Sequence, residues 1–145
     1  MALTVEPLTD VDDEIVDAVD RLLSQLSQTA QRLDRDALVR LVSVESTTVL
    51  FARNDDRIVG MLSLVMFPIP SGLRARVEDV VVDDSVRGQG IGAVLIEEAK
   101  SRAAAAGART LDLTSRASRS AATRLYERLG FQPRESRVYR FAPTG

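Results

Sequence analysis

Hydrophobic and polar positions alternate weakly over residues 2–8, the two-residue period of a strand, and then take a helical spacing at Ile15, Val19, Leu22, Leu23 and Leu26. Asp10, Asp12 and Asp13 stand before that helix, where a carboxylate can accept from the free N–H groups of a first turn. A second helix is predicted from Asp34, with Leu38, Leu41 and Val42 on one face, after the polar residues 27–32. Residues 47–52 and 58–67 are β-branched and apolar runs separated by Asn54-Asp55-Asp56, which reads as a hairpin. Pro68, Pro70 and Gly72 are expected to end its second arm and leave residues 67–76 as a loop.

Residues 77–82 form the next predicted strand and 83–87 a loop, after which Gly88-Gln89-Gly90-Ile91-Gly92 opens a helix through Ala106, with Gly107 as its C-terminal cap. Residues 111–113 make a short strand. Ser118 or Ser120 caps a helix carrying Ala122, Leu125 and Leu129, Gly130 ends it, and residues 131–141 supply the last two strands. The predicted order is β-α-α-β-β-β-α-β-α-β-β. This is a mixed α+β fold, a mostly antiparallel meander joined to a βαβ unit. At 145 residues the chain is too short for two full cores, so residues 1–145 are expected to form a single domain.

Composition narrows the chemistry. With 45% hydrophobic and 28% charged residues the chain has the balance of a globular protein. Its formal charge of -2 supplies no positive field for phosphate backbones, which argues against nucleic acid as a partner. Having no Cys and no His, it lacks thiolate nucleophiles, imidazole bases, zinc fingers and the Ser/His/Asp triad together. Carboxylates, Tyr, Ser, Thr, Arg, one Lys (Lys100) and backbone amides remain. The start lacks the basic flank and apolar run of a leader, and no apolar stretch approaches a membrane span, so a cytoplasmic chain with no membrane association is expected.

Three glycines at alternate positions between a strand and a helix let backbone approach a ligand closely, and the helix start offers free N–H groups to an anion. The same residues also suit a tight turn that needs positive φ, with no ligand at all. A P-loop would require Gly-Lys-Ser/Thr here, which is absent. A dinucleotide fingerprint is closer in spacing, through Gly88, Gly90 and Ala93 with Asp112 beyond. Against it, residues 83–87 separate the strand from the first glycine, and too little chain follows Asp112 for a doubly wound sheet.

Arg87, Gly90 and Gly92 also meet the Q/R-x-x-G-x-G/A signature, and residues 122–131, Ala-Thr-Arg-Leu-Tyr-Glu-Arg-Leu-Gly-Phe, match a closing A-x-x-L/F-Y-x-x-x-G-F motif. On these two motifs, in this order, the chain resembles the GCN5-related N-acetyltransferase (GNAT) family. The resemblance implies a GNAT-like central sheet, acetyl-coenzyme A as acyl-donor cosubstrate, and no metal. It places the coenzyme pyrophosphate on Arg87, Gly88, Gln89, Gly90, Ile91 and Gly92, and the pantetheine arm along the backbone of Val80, Val81 and Val82. It also implies an oxyanion donor at the N–H near Val81, where family members splay two strands, and a homodimer, for which the terminal strand is the candidate edge. Many relatives carry Asn seven residues before the closing Tyr; this chain has Arg119 there, a side chain suited to a phosphate.

Acyl transfer to a primary amine meets a proton problem, because at pH 7 only about one amine in 2,500 is unprotonated. Glu78 and Asp79 lie inside a predicted strand, and alternation sends their side chains to opposite faces. Glu78 is the preferred base, directly or through water, with Asp79 on the substrate, and an ion pair with Arg74 or Arg76 is the competing structural role. The pair resembles an Ile-Glu-Asp stretch of the family's glucosamine-phosphate acetyltransferases. Without His or Cys, a Tyr hydroxyl is the available general acid, and Tyr126 of the closing motif is that candidate. Alternatively, Tyr126 packs beside Leu125 and Leu129. Arg116, Arg119, Arg134 and Arg137 either meet an anionic group of the substrate or are solvated. The expected activity is direct acetyl transfer to a small-molecule amine in a ternary complex. Alternatives are a protein N-terminal or lysine acetyltransferase and a non-catalytic coenzyme A-binding regulator.

Overall fold

The structure, a computed structural model, describes residues 2–115 and 120–144. The chain forms two compact units, Met1–Thr114 and Ser115–Gly145.

The first unit holds β1 (Leu3–Pro7), α1 (Asp13–Leu26), α2 (Arg35–Val42), β2 (Thr47–Asn54), β3 (Arg57–Ile69), β4 (Gly72–Val82), a 3₁₀ turn (Asp84–Val86), α3 (Ile91–Ala105) and β5 (Thr110–Asp112). The strands lie in one sheet in the order β1-β2-β3-β4-β5, antiparallel except for the parallel pair β4–β5. Both leading helices start where the sequence places them. Asp12 Oδ1 accepts from Ile15 N–H at 2.9 Å and Asp34 Oδ1 from Ala37 N–H at 2.8 Å, so each cap satisfies a donor its helix leaves unpaired.

Helices cover both sheet faces. On one, Ile15, Val19 and Leu22 of α1 and Leu38 of α2 form a buried cluster with Val49, Phe51, Met61 and Val81 of the sheet. On the other, α3 presents Ile91, Leu95, Ala99 and Ala103, one residue per turn, all buried. Gly60 of β3 sets how closely α3 approaches: a Cβ there would lie 3.2 Å from Leu95 Cδ1, 3.2 Å from the Val81 carbonyl oxygen and 3.3 Å from Ile91 Cγ2.

Three expectations are corrected. β3 runs through Pro68 to Ile69 and β4 begins at Gly72, so residues 67–76 are a paired hairpin, in register from Phe67↔Arg74 to Ile69↔Gly72. Proline lacks only a donor, which the end of a hairpin arm tolerates. Arg109 closes the tip, its Nη1 donating to the Ser71 carbonyl at 2.6 Å. Residues 83–87, expected as plain loop, contain the 3₁₀ turn. In the second unit α4 (Ser120–Arg128) is present and Gly130 follows it at φ 96°, but residues 131–141 carry no strand and the last two β elements of the expected order are missing. A β-rich composition becomes a strand only where an edge is there to pair with. Ser118 and Arg116 lie outside the described residues.

Alanine in place of glycine within a strand ordinarily stabilises. At Gly60 the opposite is expected: Gly60→Ala should lower unfolding free energy by about 1–3 kcal/mol, because the contact includes backbone that cannot yield. Urea unfolding of both proteins gives the sign, and a gain would show that α3 is free to move away.

Candidate active site

One inserted residue shapes β4. Met61 faces Val81 and Ser63 faces Glu78, so two steps along β3 are matched by three along β4, and Asp79 and Val80 share the place opposite Leu62. This is a β-bulge, and Asp79 occupies the left-handed region at φ 52°. Asp is among the few residues that tolerate that conformation.

The bulge overturns the alternation argument for the acid pair. Glu78 stands opposite Ser63, and Asp79 lines the same pocket as Ser63, so both carboxylates lie on the α1–α2 face rather than on opposite ones. Glu78 is exposed and bound to Arg76, whose Nε and Nη2 donate to its Oε1 at 3.2 and 3.1 Å. The ion pair weighed from the sequence is therefore formed, with Arg76 as partner. Asp79 opens onto a pocket of about 40 Å³ whose walls include Val19, Leu23, Leu38, Leu41 and Met61. Desolvation in these surroundings, with the charge of Glu78 adding, raises the Asp79 carboxyl from its ordinary value.

The same strand loses its outer partner beside the bulge. The β4–β5 ladder spans Arg74↔Thr110 to Arg76↔Asp112 and stops, and among the described residues nothing pairs with Val77–Val82 on that edge. Val80 and Val82, which alternate with the β3-facing Val81, thus turn backbone N–H and C=O groups to this edge, where they suit an extended ligand.

The edge leads into the glycine turn. Gly88 and Gly90 both have positive φ, 82° and 81°, and nothing lies within 4 Å of a Cβ built on either. Gly90 caps α3 without a side-chain hydrogen bond, and the intrahelical ladder begins at Val94 N–H to the Gly90 carbonyl, 3.2 Å. The first amides of α3 are therefore turned toward open space, an arrangement that suits an anion. Gly92 is less constrained, since a Cβ there would meet Val82 Cγ2 at 3.8 Å, ordinary contact distance. An alanine fits at this place, as the signature allows. Gln89 is exposed and Ile91 is buried, so Ile91 contributes backbone only. Arg87 points along the turn, paired with Asp84 at 2.6 Å.

Sequence reasoning missed what fixes this turn in place. Asp83, 4% exposed, receives Ser85 N–H and Oγ–H at 3.0 Å each on one oxygen, and Arg21 Nε at 3.1 Å and Arg57 Nη2 at 3.3 Å on the other. Arg21 also donates to the Ile58 carbonyl at 2.5 Å, and Gln25 of the same helix accepts from Asp84 N–H at 2.8 Å. The donated hydrogen bonds, led by that from the Ser85 backbone, lower the Asp83 carboxyl to about 2 against the opposing effect of burial. A visible signal existed: an Asp closing an apolar strand, followed two residues on by Ser.

Tyr126 lies on α4 in the second unit, where its ring meets Phe131 edge-on at 6.2 Å and its carbonyl accepts from Phe131 N–H at 3.0 Å. Arg119 lies outside the described residues. Arg134 and Arg137 are exposed.

The profile of the Acetyltransferase (GNAT) family matches residues 15–131. Among solved structures, a ribosomal-protein-alanine N-acetyltransferase from Brucella melitensis biovar Abortus 2308 is 26% identical with TM-score 0.74, covering 97% of this chain and 100% of that one. An aminoglycoside acetyltransferase from an uncultured soil metagenomic sample has TM-score 0.86 at 20% identity, covering 99% and 97%. A glucosamine-6-phosphate N-acetyltransferase from Arabidopsis thaliana has TM-score 0.77 at 17% identity, covering 97% and 99%, and like the preceding one it shows the shared fold. No curated protein matches the chain.

Because the Asp83 carboxyl is lowered, the folded state holds fewer protons than the unfolded chain between about pH 4 and pH 2. Its contribution, about 2 kcal/mol, should be full above that window and vanish as the pH falls through it. The stability difference between wild type and Asp83→Asn, measured by denaturant unfolding, should narrow across the same range. A difference unchanged down to pH 2 would contradict this assignment.

Proposed function

From the premise that this chain belongs to the GNAT acetyltransferase family, we propose that it moves an acetyl group from acetyl-coenzyme A to the primary amine of a small molecule. The observation that carries the reading is the continuity of one free backbone edge, Val80 to Val82, with an uncapped helix start at Gly90–Gly92, beside a carboxylate raised by its apolar surroundings. The edge suits an amide-bearing arm and the helix start a pyrophosphate, with Arg87 beside it and Arg119 as a further phosphate contact. Bound there, the cosubstrate supplies an acetyl thioester. The small pocket beside the exposed Asp79 favours a compact amine over a protein chain, which would need a broad groove.

In this reading the acceptor ammonium meets Asp79, and the Glu78–Asp79 pair takes up its proton, Glu78 through water. Nitrogen then bonds to the acetyl carbon as the carbon–sulfur bond breaks. A backbone N–H near Val81 donates to the carbonyl oxygen as it gains charge. Tyr126 gives a proton to the departing sulfur and recovers one from the nitrogen, which sheds its second proton as it becomes an amide. With no Cys there is no cysteine acetyl-enzyme, and the family resemblance supports direct transfer within a ternary complex, so initial-rate lines should intersect rather than run parallel. The enzyme is assigned to the cytoplasm.

Titration calorimetry with acetyl-coenzyme A tests the donor side. Gly90→Glu, which puts a negative charge into the turn, should weaken binding by about a hundredfold or more, while Gly90→Ala shares the backbone strain without the charge and controls for it. Tyr126→Phe should bind as wild type does and lose about 10² to 10⁴ in kcat. A folded wild type that does not bind acetyl-coenzyme A would refute the function; unchanged turnover in Tyr126→Phe would leave that ring to packing.

A homodimer is part of the same proposal. Val138, Tyr139 and Phe141 are 70%, 89% and 86% exposed, an apolar stretch suited to a second copy of the segment. Sedimentation at micromolar concentration should show a dimer that Tyr139→Asp with Phe141→Asp dissociates, and a wild-type monomer would overturn it.

A further inference from the structure

The fold of this chain is shared with enzymes named for aminoglycosides, for glucosamine 6-phosphate and for a ribosomal protein's alanine, so the fold leaves the acceptor open. The acceptor side of this chain is more specific than its fold. Apart from Asp79 and Ser63, every side chain around the pocket is an aliphatic or Met side chain, Val19, Leu23, Leu38 and Met61 among them. Among the described residues no basic side chain lines it, so these walls offer nothing to a phosphate or a second carboxylate. A single carboxylate offers one site for one ammonium, whereas a polyamino sugar brings several charges and many hydroxyls that these walls cannot hydrogen-bond. The volume, about 40 Å³, admits the end of a narrow chain and no ring.

We propose that the acceptor is a monoamine on a short, unbranched, uncharged aliphatic skeleton, its ammonium held at Asp79 and its chain in the Leu23–Leu38–Met61 pocket. This rests on the acetyltransferase reading for its meaning, but the pocket can be probed without the donor.

Calorimetry with an n-alkylamine series from ethylamine to hexylamine, on wild type without coenzyme, is the first arm. The Kd should fall about fourfold with each added methylene, the worth of one buried CH₂, and then stop falling once the pocket is filled. Asp79→Asn should weaken every member, whereas Leu41→Glu, on the partly exposed rim, should flatten the chain-length step. Both variants are checked for a wild-type thermal transition and for acetyl-coenzyme A binding. The second arm compares kcat/KM with saturating acetyl-coenzyme A for butylamine, sisomicin and glucosamine 6-phosphate, and butylamine should lead by at least about tenfold. No alkylamine binding, a Kd that ignores chain length, or a sugar amine that leads would each overturn the proposal. Loss of acetyl-coenzyme A binding alone would fall on the donor reading and would leave the alkylamine titration to report on the pocket.

Discussion

The extra residue at Asp79 is the constraint on which the site depends. A strand is a two-period object, and inserting one residue against an unbroken partner changes which face each later side chain occupies. Before the bulge Glu78 shares the α1–α2 face; after it Val81 does so, and joins the core built by α1, while Asp79 in the left-handed region stays at the pocket. The same distortion coincides with the end of the β4–β5 ladder, which frees the edge that would take an extended ligand. Acid pair, pocket and free edge thus sit along one short run of β4.

A bulge bends a strand but does not hold the turn beyond it. That task falls to Asp83, which draws Arg21 from α1, Arg57 from β3 and Ser85 from the turn onto one carboxylate. A carboxylate so buried would be costly if unpaired, and here four donors offset its desolvation. The turn entering Gly88 and Gly90 is thereby fixed at its N-terminal side by α1, an element that also walls the Asp79 pocket through Val19 and Leu23. The glycine turn and the Asp79 pocket share one support.

The two sides differ in how they recognise. In the proposed reaction the donor side is backbone: amides of Gly90 to Gly92, the edge of Val80 to Val82, and glycines whose lack of a Cβ leaves the turn open. Backbone recognition asks little of side-chain identity beyond glycine, which suits a cosubstrate common to a family. The proposed acceptor side is made of side chains, mostly Leu, Val and Met around one Asp, and these can differ between enzymes of one fold while the sheet stays the same.

Much of this was legible in the residue order. Helix starts at Asp12 and Asp34 arise from local chemistry, because each depends on a side chain meeting backbone three residues away, and the turn at Asp55 on a residue type that tolerates positive φ. The glycine spacing marked the anion turn for the same reason, since positive φ is a property of single residues. The features that residue order left undetermined are long-range. Whether residues 131–141 become strand depends on a partner edge, and whether Glu78 and Asp79 share a face depends on register against Leu62, a property of two strands together. The Asp83 cluster joins residues separated by up to 62 positions, and no local pattern encodes such a meeting. Sequence alone determined the elements and the chemistry available; tertiary structure decided which carboxylate meets the apolar pocket, because strand register and close packing are set by contacts between segments and not within them.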